Sequence, residues 1–132
     1  MQATASRAHC SYEQVNGIHL FRFERPSRRA VDEWLLHLDR VYASSFSDER
    51  VRIAMEYAVR GMPHLSYATE RLRQWNSAQH HLPRTRVAFL HNNATMAMII
   101  DGIVRLLISE RHTVHFFNIR HADDAFDWLM QP

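Results

Sequence analysis

Residues 112–131 read HTVHFFNIRHADDAFDWLMQ, and this stretch decides the fold. Val114 to Phe117 is a short apolar run of the kind that forms a buried strand. Ala122 to Met130 then follows helical spacing, with Ala125, Phe126, Trp128 and Leu129 on one face and Trp128 and Leu129 expected to be buried on the sheet. Asp123 and Asp124 fall in the first turn, where the helix macrodipole favours anions. A strand followed at once by a helix is half of a parallel crossover unit. Going back along the chain, the same unit recurs. Arg86–Leu90 precedes a helix over Thr95–Ser109, and an alternating run from Val51 to Val59 precedes a helix from about Leu65 to Gln79. The order is β-β-α-β-α-β-α-β-α. Such alternation predicts a single α/β domain with a mixed, mostly parallel sheet, an edge hairpin and about four helices packed on it.

The hairpin is the opening of that series. Ser11–Gln14 and Ile18–Glu24 flank Val15, Asn16 and Gly17. Asn-Gly between two strand-like runs predicts a type I′ turn, because both central residues need positive φ. Arg25-Pro26 stops the second strand, and Ser27 is placed to cap a helix. In that first helix Val31, Trp34, Leu35, Leu38, Val41 and Tyr42 form one apolar stripe. The second helix puts Leu65, Ala68, Leu72 and Trp75 on one face. The third is the most apolar. Met96, Ile99, Ile100, Ile103, Leu106 and Leu107 are expected to face inward, from a central position.

The 132 residues fit one domain, expected to run from residue 11 to residue 131, with residues 1–10 expected to be frayed. Met1–Cys10 has one arginine and no apolar core, so it does not read as a signal peptide. No run of about 18 apolar residues occurs, so no membrane span is expected. Cys10 is the only cysteine, which rules out an internal disulfide and fits a cytoplasmic location. All 16 cationic side chains are arginine, yet the net charge is only +2, and acidic residues break up the densest run, Arg22 to Arg29. A nucleic-acid surface would concentrate that charge, so no nucleic-acid partner is expected.

The ten histidines raise the possibility of a metal. His80 and His81 are adjacent and would diverge on a helix, while His64, His91, His112, His115 and His121 could meet only if the fold brought them to one sheet end. No close ligand spacing of the zinc type occurs. Neither a nucleophile elbow nor a glycine-rich phosphate loop occurs. No catalytic residue, metal or cofactor is therefore expected. The amino terminus of the second helix, near Arg60 and His64, is the best anion-binding candidate, with a simple serine cap as the plain alternative.

The order of elements resembles the STAS domain, named for sulfate transporters and anti-sigma factor antagonists, and in particular its stand-alone bacterial branch grouped with CRAL-TRIO-type lipid-binding folds. The likeness spans roughly residues 11 to 131. It is carried by Phe116-Phe117-Asn118 leading to Asp123–Leu129, by Val87–Leu90 with Met96–Leu107, and by Arg52–Val59 with Met62–Leu72. The family's antagonists carry Asp-Ser-Ser-Gly at the start of the second helix, where the second serine accepts phosphate. Here the matching letters are His64, Leu65, Ser66 and Tyr67, so only Ser66 is retained. The resemblance implies a non-enzymatic regulatory or binding module that acts through a protein partner near Arg60, His64, Ser66 and Tyr67. The alternative is a small carrier or sensor for a lipid or other apolar ligand, housed between helices and sheet. A homodimer stays open.

Overall fold

The computed structural model describes residues 7–45, 50–79, 82–107 and 111–132. Five strands form one sheet: β1 (Cys10–Val15), β2 (Ile18–Phe23), β3 (Val51–Tyr57), β4 (Thr85–His91) and β5 (His112–Asn118). The helices are α1 (Arg28–Ala43), α2 (Leu65–Ala78), α3 (Ala94–Leu107) and α4 (Ala122–Met130). A 3-10 turn over Ile119–His121 leads into α4. The sheet order is β1-β2-β3-β4-β5; the β1–β2 pair is antiparallel and the rest are parallel. The expected α/β architecture is therefore the observed one. Among the described residues no helix is long and apolar enough to cross a membrane.

Local chemistry explains the joints. Asn16 and Gly17 both adopt positive φ, 51° and 80°, as a type I′ turn requires. The Ser27 hydroxyl accepts the Ala30 N–H at 3.1 Å and caps α1. Residues 9 and 10 depart from the expected frayed terminus. Glu33 accepts both backbone N–H groups, from His9 at 2.7 Å and Cys10 at 2.9 Å, and Cys10 is the buried first residue of β1. The pull of α1 on the strand, invisible in local sequence, ties this segment down.

Strand order also decides which face each helix covers. The sheet grows in one direction through three successive crossovers, which places α1, α2 and α3 on one face. Phe21, Phe23, Ile53, Val87 and Phe89 face this layer. On the opposite face α4 lies against β3, β4 and β5. Ala54, Ala88 and Ala125 are wholly buried there, and their small side chains let the helix approach the sheet closely.

Two expectations about packing are corrected here. The most apolar helix, α3, is peripheral rather than central, because it crosses from β4 to the edge strand β5. Only Met96 and Ala97 are buried on it; Met98, Ile99 and Leu106 are exposed, Leu106 by 87%. On α4, Leu129 is wholly buried but Trp128 is only partly so. Trp128 stacks on His115 at 4.2 Å between ring centroids, with the Arg86 guanidinium 5.5 Å from its ring centre. It lies over the edge strand, not the sheet centre.

Candidate functional site: an apolar cavity beneath a raised helix

Helix α2 is unusual in that none of its residues is fully buried, although its apolar stripe is in the expected place. It approaches α1 and α3 closely and packs its apolar stripe against the core, but leaves a gap between itself and the sheet. The gap is a cavity of about 150 Å³. Ile53, Met55, Val87, Phe89 and Val114 form its floor and Leu65, Ala68, Leu72 and Trp75 its roof. Val31, Trp34 and Leu38 of α1 wall one side, and Ile100, Ile103 and Val104 of α3 the other. Among the described residues, no carboxylate or guanidinium lines the cavity.

Polar contacts to α1 also tether α2. The Tyr67 hydroxyl donates to Asp32 at 2.6 Å, and Arg71 forms an ion pair with the same carboxylate at 3.5 Å. Trp75 Nε1 donates to Asp39 at 3.3 Å. Two aspartates on α1 thus fix three positions along α2. Such half-exposed polar contacts are worth little individually; the apolar stripe of α2, packed against the core, accompanies them.

Each end of the cavity has a polar fitting. At the amino ends of the parallel strands, the Tyr42 hydroxyl shares hydrogen bonds with Thr85 Oγ1 at 3.0 Å and His112 Nε2 at 2.8 Å. Burial lowers the His112 pKa to about 4 and raises that of Tyr42 to about 12. Both are neutral near pH 7, so this end offers dipoles without charge. At the carboxyl ends, the Tyr57 hydroxyl donates to the Gly61 carbonyl at 3.2 Å. Gly61 takes φ of 90°, a left-handed turn suited to glycine, before Pro63 leads into α2. Trp34 also lines the cavity, and its buried Nε1 lacks a hydrogen-bond partner.

The four residues singled out from sequence sit at the carboxyl ends of the strands, where open α/β sheets commonly bind ligands. Arg60 and His64 are exposed in the loop, and Ser66 is exposed in the first turn of α2. His64, not Ser66, occupies the cap position, and it makes no side-chain cap bond. The serine-cap reading is thereby corrected: Ser66 lies two residues past the cap position, inside the first turn. Tyr67 does not share a surface with Ser66; its hydroxyl is turned to Asp32. The structure therefore gathers three exposed groups near one turn and commits the fourth to holding α2.

Among the described residues, the histidines do not gather into one cluster. His91 ends β4 while His112 begins β5, so they lie at opposite ends of the sheet, and His115 is on the α4 face. His80 and His81 lie outside the described residues. Among the described residues, no three His, Cys, Asp or Glu side chains cluster as a metal site. The Cys10 thiol is raised to about 12 by burial and by the nearby charges of Glu33 and Glu24.

Sequence reading missed the cavity as a set of residues. A faint signal was present: the α2 stripe contains Ala68 where a large side chain would have filled the gap, with Thr69 and Asn76 beside it. No family model matches this chain, and neither a curated protein nor a solved structure matches it.

Proposed function

We propose that this domain is a non-enzymatic binding module that takes a small, uncharged apolar molecule beneath α2, as a carrier or sensor. The observation that carries the reading is the apolar cavity between α2 and the sheet. The pocket is apolar and partly open to solvent, and its volume of about 150 Å³ suits a benzene-sized guest. A guest seated there would take apolar lining out of water, worth roughly 25 cal/mol per Å² covered. Among the described lining residues there is no arginine, which favours neutral guests over fatty carboxylates, since an unpaired buried charge is costly. Trp34 and Trp75 flank the cavity, so a guest should report on itself. Titrating indole-free apolar probes such as toluene should change tryptophan fluorescence saturably and raise the melting temperature. Fluorescence and melting that both ignore every neutral probe would contradict the reading.

A second reading is favoured by the exposure of Ser66 in the first turn of α2. Under the STAS-like proposal, this turn with Arg60 and His64 is where a protein partner docks. Ser66→Glu adds charge at a helix amino terminus, which the helix tolerates. The variant should melt within a few degrees of the parent and lose a partner that the parent retains in pull-down. Equal recovery of that partner would remove this reading and leave the cavity proposal untouched.

A further inference from the structure

Five of the 16 arginines meet at one end of the sheet, though they come from three separate strands or the residues just before them. Val51, Thr85 and His112 are aligned across β3, β4 and β5. Arg50, Arg84 and Arg111 each precede one of these residues. Arg52 and Arg86 are themselves cross-strand partners. Like charges placed side by side on a sheet repel, so the arrangement needs something to offset it. Part of the offset is the carboxyl end of α4. Arg52 Nε donates to the Leu129 carbonyl at 2.7 Å; Arg86 Nη1 donates to those of Trp128 at 3.0 Å and Gln131 at 2.8 Å. Arg86 Nη2 reaches the Pro132 carbonyl at 3.2 Å, and Arg50 Nη1 that of Gln131 at 3.4 Å.

A helix terminus supplies only about half a negative charge. Among the described residues, no carboxylate forms an ion pair with Arg50, Arg52, Arg84 or Arg86. Burial, then the nearby charges of Arg50 and Arg52, lowers the Arg86 pKa. Arg50, Arg84, Arg86 and Arg111 frame an open hollow of about 520 Å³, with Thr113 on its rim. Thr85 also borders it, but its hydroxyl is directed to Tyr42 and the Pro83 carbonyl.

We propose that this hollow is an anion site for a phosphoryl group, held by Arg84 with Arg50 and Arg86 in support. Guanidinium forks match the paired oxygens of phosphate, and a multiply charged oxyanion is the chemistry that best relieves a cluster of cations drawn into one concavity. The site is on the α4 side of the sheet, away from the apolar cavity, and stands independently of it. The phosphoryl group has two natural sources, a soluble phosphate compound or the headgroup of an anionic lipid.

Arg84→Gln is the informative variant, because Arg84 is exposed and makes none of the α4 bonds above. Pyrophosphate titrated into the parent at low salt, followed by calorimetry and NMR, should bind saturably. Arg84→Gln should weaken that binding at least about tenfold, the usual loss for a charge-assisted hydrogen bond, without changing the melting temperature. Arg73→Gln, which removes an exposed arginine from α2, should leave binding intact. In a parallel arm, vesicles of phosphatidylcholine with and without phosphatidic acid are sedimented with the protein. Arg84-dependent pelleting with the acidic vesicles assigns a lipid headgroup, and pyrophosphate binding without pelleting assigns a soluble ligand. Absence of both, or an equal loss in Arg73→Gln, overturns the proposal.

Discussion

Replacing Ala68 with leucine should fill the space beneath α2. Ala68 is part of the roof of the 150 Å³ cavity. Leucine adds three carbon groups, worth about 0.8 kcal/mol each when buried. Ordering the longer side chain costs about 0.5–1 kcal/mol, and the two residues differ little in helix propensity. The net expectation is a gain of about 1–2 kcal/mol, or roughly 3–6 °C in melting temperature for a chain of this size. Urea denaturation followed by tryptophan fluorescence measures the gain, and the same variant should no longer respond to toluene. Stabilisation with loss of the response ties both effects to one volume. A destabilisation beyond about 1 kcal/mol would mean that the site is already packed, and the cavity reading would fail.

Leu129 is wholly buried against Ala54 and Ala88, so Leu129→Ala should cost about 3–5 kcal/mol in urea titrations; Trp128→Ala, at a half-buried edge position, should cost less. The depressed pKa of His112 means that the unfolded chain binds its proton more tightly. Its contribution is full above pH 6.5 and falls as the pH drops towards about 4, by up to about 3 kcal/mol. Comparing pH-dependent denaturation of the parent with His112→Gln isolates that term, and an imidazole NMR titration midpoint near 6.5 would contradict it. The Cys10 thiol, buried and raised to about 12, should resist iodoacetamide at pH 8 in the native protein and react on unfolding. Rapid labelling of the native protein would show that the β1 end opens.

The strand and helix order was readable because each element carries its own period and its own stop signal. Asn16-Gly17 specifies a turn that few other pairs can form, and Ser27 caps α1 from its expected place. Properties that depend on which face a helix covers were not readable. The α3 sequence is apolar on nearly every side, so composition suggested a central helix, whereas strand order places it at an edge. The arginine cluster shows the same limitation. Arg50, Arg52, Arg84, Arg86 and Arg111 are spread through the linear chain, and parallel register brings them together. For the candidate cavity, the lining stripes on α1, α2 and α3 were legible as apolar faces. That they leave a gap depends on how α2 is placed over the sheet, a tertiary property to which the contacts of Asp32 and Asp39 with Tyr67, Arg71 and Trp75 contribute.

Methyl NMR with benzene as the probe tests the cavity most directly. Leu72, Ile100, Ile103 and Val114 line it, whereas Leu106 of α3 is exposed. Binding beneath α2 predicts saturable shifts of the four lining methyl groups, a flat response at Leu106, and loss of the shifts in Ala68→Leu. Shifts confined to Leu106, or none that saturate, would contradict a ligand site between α2 and the sheet.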